Sequence, residues 1–257
     1  MIALDQIAGA LDRAACDAAA IPQWSGDQAL SVDTAYAVQA RLVAARHARG
    51  YRQIGIKMGF TSRAKMRQMG VSEMIWGRLT EDMRIDDGGE IELSRYVHPR
   101  IEPEVAFLLK SNLAGRVSGA EALAAVEAVA PAMEIIDSRY ESFKFNLADV
   151  IADNASSSGF VVGGWRPKDL PLGHLGVILE VDGRVRQIGS TADILGHPLR
   201  SLVAAAALIG AAGETLRPGD IVMAGGVTAA EPLTPGTSVR AVIEQLGQVT
   251  IRAVQGV

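Results

Sequence analysis

The chain has 257 residues and a mass of 27.1 kDa; with 49% apolar residues and a mean hydropathy of +0.18 it can fill a substantial core, which excludes disordered and fibrous architectures. Its 29 acidic and 25 basic residues give a net charge of −4, so there is no basic footprint for nucleic acid or an anionic membrane surface. A single cysteine, Cys16, excludes an internal disulfide framework and a multi-thiolate zinc site and fits a reducing compartment.

In chain order, apolar residues recur at three-to-four spacing from Ile2 to Ala20, which predicts a helix, and Ser31 caps a second helix running to about Arg49. This N-terminus lacks the basic-then-apolar pattern of a signal peptide, so a cytoplasmic protein is expected. From Tyr51 short apolar runs punctuated by glycine predict strands over Gln53–Met58, Ile91–Tyr96, Glu102–Leu109, Ala132–Ile136 and Phe160–Val162. Between them, Ser62–Met69 with Gly70 predicts a short glycine-capped helix, and Ala120–Ala130 a helix ending before Pro131. Val177–Val181 and Arg184–Ile188 flank Asp182-Gly183, the signature of a type I′ hairpin. Leu199–Ala212 returns to helix, and its apolar run Leu202–Ala212 is too short to span a bilayer. Strands over Ile221–Ala224, Val239–Glu244 and Val249–Val254 complete the chain. Helices segregated from strands argue for an α+β fold, with a helical N-terminal part (1–50) packed on a β-rich catalytic body (51–257).

The glycine pairs Gly163-Gly164 and Gly225-Gly226 sit in neither GxGxxG nor GxxxxGK[ST], so nucleotide-binding loops are excluded. Glu102 and Glu104, at i and i+2 of an apolar strand, share one face, and like charges on one face need a cation. Glu134 is a third acid in an apolar run, Ala132–Ile136, and a neighbouring strand can bring it beside the pair. Three glutamates offer hard oxygen ligands for Mg²⁺ or Mn²⁺; the competing reading pairs each acid with an arginine on a solvated face. Lys57 interrupts the apolar strand Gly55–Gly59 in a chain with only five lysines among its 25 basic residues. It either transfers protons or holds a carboxylate, unless it snorkels to solvent from a strand end. The run Asp153–Ser158 reads equally as a capped turn or as a polar loop around a ligand. His98 lies near the acids in sequence as a structural hydrogen-bonding residue, and no Ser-His-Asp arrangement or GxSxG is present.

Gly55-Ile56-Lys57-Met58-Gly59-Phe60-Thr61-Ser62, Ile101-Glu102-Pro103-Glu104, Glu134-Ile135-Ile136-Asp137-Ser138-Arg139-Tyr140 and Ala152-Asp153-Asn154-Ala155-Ser156-Ser157 together resemble the fumarylacetoacetate hydrolase superfamily. Within it the chain is similar to the branch of 2-keto-4-pentenoate hydratases and 4-oxalocrotonate decarboxylases, from about Ser31 to the C-terminus. The resemblance implies a mixed β-roll catalytic body, one Mg²⁺ or Mn²⁺ on Glu102, Glu104 and Glu134, and an active-site lysine at Lys57. It also implies substrate contacts at Ile75, Trp76, Ser156, Gly226 and Thr228, a 2-oxo dicarboxylate substrate, a homo-oligomer, and a complex with the pathway hydratase.

Hydratases of the branch carry an aspartate before a Phe-Gly pair, eighteen residues after the active-site lysine, where this chain has Ile75 before Trp76-Gly77. Isoleucine cannot activate water, so hydration needs another base, with Glu81 and Asp82 the nearest candidates. The segments Ser138–Phe145 and Gly225–Ala230 also resemble the decarboxylases. The resemblance thus implies decarboxylation ahead of hydration, with a non-catalytic keto-acid binder as a third reading. Arg139 is a candidate for the distal carboxylate, against an internal ion pair with Asp137 or Glu141.

Overall fold

Two helices open the chain in the computed structural model, which describes residues 3–24, 29–62, 66 and 73–256. Helix α1 (Leu4–Cys16) buries Ile7, Ala8, Leu11 and Ala14. At the start of α2 (Val32–Ala48) the Ser31 hydroxyl accepts the Thr34 N–H at 3.1 Å, satisfying one of the helix's free donors. Gln39 on α2 is fully buried and donates to the carbonyls of Trp76 and Ile151, each at 3.0 Å, tying the helices to the body.

The body alternates strands and short helices: β1 (Gln53–Gly59), β2 (Ile75–Thr80), β3 (Arg84–Ile85), β4 (Glu90–Glu92), β5 (Arg100–Leu109), α3 (Gly119–Ala125), β6 (Val126–Ile136), α4 (Leu147–Ala152), β7 (Ser157–Val162) and β8 (Arg166–Pro167). It continues with β9 (Gly176–Val181), β10 (Arg184–Ser190), α5 (Pro198–Ala211), β11 (Ile221–Met223), β12 (Glu231–Pro232), β13 (Ser238–Ile243) and β14 (Gly247–Val254). A nine-stranded mixed sheet runs β2-β1-β11-β5-β6-β7-β3, with β12 paired to β5 and β8 to β6. The second sheet, five-stranded, runs β10-β9-β13-β14-β4.

Strand alternation divides the large sheet into a packing face and a functional face. Ile101, Met133, Ile135 and Val161 bury against Leu179, Val239, Ala241, Val249 and Ile251 of the small sheet. Glu102, Glu104 and Glu134, at the intervening positions, therefore point the other way. The hairpin β9–β10 forms as its turn chemistry predicts, with φ of 50° at Asp182 and 70° at Gly183.

Several elements differ from the sequence expectation. The helix expected over Ala120–Ala130 stops at Ala125, and residues from Val126 pair with β5 through Pro131 opposite Val105. Cross-strand pairing in a buried sheet overrides the helix preference of the alanines. The strand expected over Ile91–Tyr96 ends at Glu92, where its partner β14 ends at Val254, and Leu93–Arg95 turn into a 3₁₀ segment. Strand β2 and helix α4 were not predicted, and most of the helix expected over Ser62–Met69, with Gly70, lies outside the described residues. The segment Thr191–Ala211, mean hydropathy 1.5, is long and apolar enough to cross a membrane by length and composition. Within it α5 buries Leu202, Ala205, Ala206 and Ile209 in the main core, the pattern of a core helix.

Candidate metal centre and active site

Strands β5 and β6 pair Glu102 directly with Glu134, and Glu104 follows Glu102 on the same face. One oxygen from each carboxylate falls within 4.8 Å of the others, with all three residues buried. The Gly225 N–H donates to Glu104 Oε2 at 2.7 Å, while Glu104 Oε1 and Glu134 Oε1 make no hydrogen bond among the described residues. Strand β11 lies between β5 and β1 and sets the distance at which Lys57 of β1 approaches. Its Nζ lies 3.0 Å from Glu134 Oε2 and donates to the Ala155 carbonyl at 3.1 Å.

Electrostatics follow from this crowding. Burial first, then the charges of Glu134 and Glu102, push the Glu104 carboxyl well above the usual carboxylate range. Burial likewise raises Glu134 to about 7 against the opposing pull of Lys57. For Lys57 burial is the largest single influence and pulls its pKa down, but Glu134, Glu104 and Glu102 together outweigh it, so the net shift is upward. The side chain is therefore an ammonium. Three carboxyl groups thus crowd Lys57 in a buried pocket, two of their oxygens lack donors among the described residues, and the raised Glu104 and Glu134 show what ionising the cluster costs without a further cation. A hard divalent cation supplies that charge and matches the all-oxygen donor set, so these residues fit Mg²⁺ or Mn²⁺.

The polar run Asp153–Ser158 is a clamp on this centre. Asn154, Ala155 and Ser156 have φ of 52°, 53° and 58°, three successive non-glycine residues in the left-handed region. Neighbouring bonds hold them there: the Asn154 side chain accepts from the Arg78 N–H and donates to the Arg78 carbonyl, both at 2.8 Å, and the Asp137 N–H donates to the Ser156 carbonyl at 2.8 Å. The strained backbone aims the Ala155 carbonyl at Lys57 Nζ. Arg139 completes the clamp by pairing with Asp153 and donating to Ser158 Oγ, rather than pairing with Asp137 or Glu141. Asp137 instead accepts the N–H groups of Val97 and His98. Buried, with each guanidinium nitrogen already donating to Asp153 or Ser158, Arg139 does not line the cavity that opens onto the centre.

A cavity of about 310 Å³ opens onto the centre and brings together Lys57, Ile75, Glu102, Ser156 and Gly226, with Arg100, Phe143 and Phe145 among its other walls. Gly226 is a steric requirement, because a Cβ there meets Glu102 Oε2 at 2.1 Å. Two residues expected at the substrate lie outside this lining. Trp76 stacks on Tyr36 at 5.4 Å, with the Arg78 guanidinium 4.5 Å from its ring, because neighbouring residues on β2 face opposite ways and Ile75 takes the cavity side. Thr228 is buried and donates to the Ala229 carbonyl at 3.0 Å. Glu81 and Asp82 are outside it too, paired with Arg52 and Arg46, each at 2.5 Å. Arg100 was missed by sequence reasoning, although the alternation that placed Glu102 and Glu104 on one face places Arg100 there as well.

Comparison with known proteins agrees with this geometry. The fumarylacetoacetate (FAA) hydrolase C-terminal family matches residues 44–254. The chain is 56% identical over 247 residues to a 4-oxalocrotonate decarboxylase of a Pseudomonas species, covering 96% of each chain. A 2-hydroxyhexa-2,4-dienoate hydratase of Comamonas testosteroni is 33% identical over 228 residues, covering 87% of this chain and 86% of that one. Among solved structures, the 4-oxalocrotonate decarboxylase from Pseudomonas putida G7 complexed with magnesium and adipate superposes with a TM-score of 0.94 at 38% identity, covering 98% of this chain and 97% of that one. From the fold, the acid cluster and these likenesses together, the chain belongs to the fumarylacetoacetate hydrolase family.

Proposed function

We propose that the protein is a magnesium-dependent carboxy-lyase of aromatic meta-cleavage degradation, converting 4-oxalocrotonate to 2-hydroxypenta-2,4-dienoate and CO₂. The observation that carries this over hydration is the cavity wall at Ile75: the hydratase acid is absent, and Glu81 and Asp82 are engaged by arginines elsewhere. The relatives named above point the same way, since a decarboxylase is 56% identical and a hydratase 33%.

Glu102, Glu104 and Glu134 are the residues that would hold the metal. When bound it supplies a Lewis acid to the C1 carboxylate and C2 oxygen of the 2-oxo acid. The substrate is a vinylogous β-keto acid: as the C5–C6 bond breaks, its electrons pass through the conjugated chain to the C2 oxygen, and one proton completes the dienol. Lys57, an ammonium set beside Glu134, stabilises the developing enolate and places a proton at Nζ within the site. With its amine protonated, no Schiff base is invoked. Ile75, Phe143 and Phe145 give the departing carboxylate an apolar surrounding that favours its loss of charge. Ser156, held by the clamp, offers its hydroxyl to the bound acid, and Gly226 leaves room for Glu102.

Purified protein given 4-oxalocrotonate is expected to release CO₂ with Mg²⁺ and to stop when a chelator is added, without hydrating 2-hydroxypenta-2,4-dienoate. Hydration without CO₂ release overturns the assignment. Gly226→Ala is expected to drive Glu102 aside and weaken Mn²⁺ binding by about 10–100-fold, read by calorimetric titration. Ile75→Asp puts a charge where the leaving carboxylate needs an apolar wall and is expected to slow CO₂ release by at least about 10-fold. Residues 1–50 serve as a helical part against the 51–257 catalytic body, in a cytoplasmic enzyme working as a homo-oligomer beside the hydratase that consumes its unstable dienol. Gel filtration with and without that hydratase reads both associations.

A further inference from the structure

Among the described residues, buried cations beside this centre have acid partners: Lys57 with Glu134, Arg78 with Glu214, Arg139 with Asp153. Arg100 is the exception. It is half-buried and lines the cavity, yet among the described residues no carboxylate closes an ion pair with it. Its guanidinium instead rests 4.7 Å from the centre of the Phe143 ring, itself part of the cavity wall. A cation kept at a half-dry wall without an anion is poised for one supplied by a ligand.

Its position fixes which end of the ligand it meets. Arg100, Glu102 and Glu104 alternate along β5, so the cation and the two carboxylates form one row on one face, with Arg100 at its outer end opposite Ile136. Two residues along a strand advance about 6–7 Å. A six-carbon diacid, five carbon–carbon bonds from end to end, spans about 6 Å when extended. With one end of the acid on the Glu102 side, the other falls at the guanidinium, whose fork donates two parallel hydrogen bonds to a carboxylate.

We propose that Arg100, steadied by Phe143, is the specificity residue that binds the second carboxylate of a dicarboxylic 2-oxo acid; this rests on the decarboxylase reading above. Under that reading the carboxylate held by Arg100 is the one that leaves. Its charge drains away in the transition state, so the contact strengthens substrate binding more than it stabilises the transition state and does not speed the chemical step. Arg100 sets KM and the preference for dicarboxylates, while Lys57 and the metal ligands set kcat.

The test measures dissociation constants with Mg²⁺ for 2-oxoadipate and 2-oxohexanoate, six-carbon acids with two charged ends and one, alongside CO₂ release. The protein is expected to prefer 2-oxoadipate by at least about 30-fold, the scale of a lost charge-assisted pair. In Arg100→Met that preference collapses to within about 3-fold, 2-oxohexanoate binding is retained, and KM for 4-oxalocrotonate rises while kcat holds or rises. Phe143→Leu keeps the charge but removes its support and should erode the preference by about 2–5-fold. An unmodified protein with no dicarboxylate preference, or an Arg100→Met variant that keeps it, overturns the inference. Absence of CO₂ release from the unmodified protein overturns the decarboxylase reading instead, and the binding arm still reports on Arg100.

Discussion

Glu104→Gln should lower CO₂ release by more than about 100-fold while leaving the metal-free protein at least as stable as the unmodified one. Altering an outer partner of a metal ligand already weakens such sites by about 10–100-fold, so replacing a ligand exceeds that. The amide keeps an oxygen for the Gly225 N–H, so the backbone contact at Oε2 survives and the loss is one of charge and ligand strength. Stability moves the other way because the variant replaces a buried carboxyl, which burial, Glu134 and Glu102 make costly to ionise, with a neutral amide. Mn²⁺ titration with thermal melting of the chelated protein reads both effects. Normal turnover at every Mg²⁺ concentration sinks the ligand role, and a large loss of metal-free stability sinks the repulsion argument.

Lys57→Met should be damaging on both counts. It removes the ammonium that pairs with Glu134, and breaking a buried pair by deleting one partner costs about 3–5 kcal/mol. It also strips the Ala155 carbonyl of its donor. Turnover is expected to fall by at least about 100-fold, since enolate stabilisation and the proton both leave with the side chain. Denaturant unfolding of the chelated protein separates the two roles: adding Glu134→Gln to Lys57→Met should recover much of the stability and none of the activity. A lone Lys57→Met as stable as the unmodified protein would contradict the buried ion pair.

The acid cluster was legible in the sequence because strand alternation is a strict rule: once Glu102-Pro103-Glu104 is read as a strand, both carboxylates share a face. That Glu134 joins them depends on register, which no local pattern states, and the family resemblance supplied it. Asp182-Gly183 and the Ser31 cap were equally legible, since each satisfies its own backbone within a few residues. Ala120–Ala130 was misread for the opposite reason: its alanines favour helix locally, and only pairing with β5 draws residues from Val126 into the sheet. Trp76 was expected at the ligand together with Ile75 on the family resemblance, although neighbours along a strand face opposite ways. Arg139 had two acids within reach of its chain position, Asp137 and Glu141, and pairs with neither, because the fold brings Asp153 to it instead.

The parallel pairing of β1 with β11 governs when the site is assembled during synthesis. The hairpin-like pair β5–β6 joins Glu102 and Glu134 from nearby stretches of chain and can form while the polypeptide is still emerging. Lys57 emerges earlier than either, yet its strand has no place beside β5 until Ile221–Met223 arrives to lie between them. The nascent chain thus carries three clustered acids before their compensating ammonium is in register, and a ribosome-bound chain ending short of β11 is expected to lack a competent centre however long it waits.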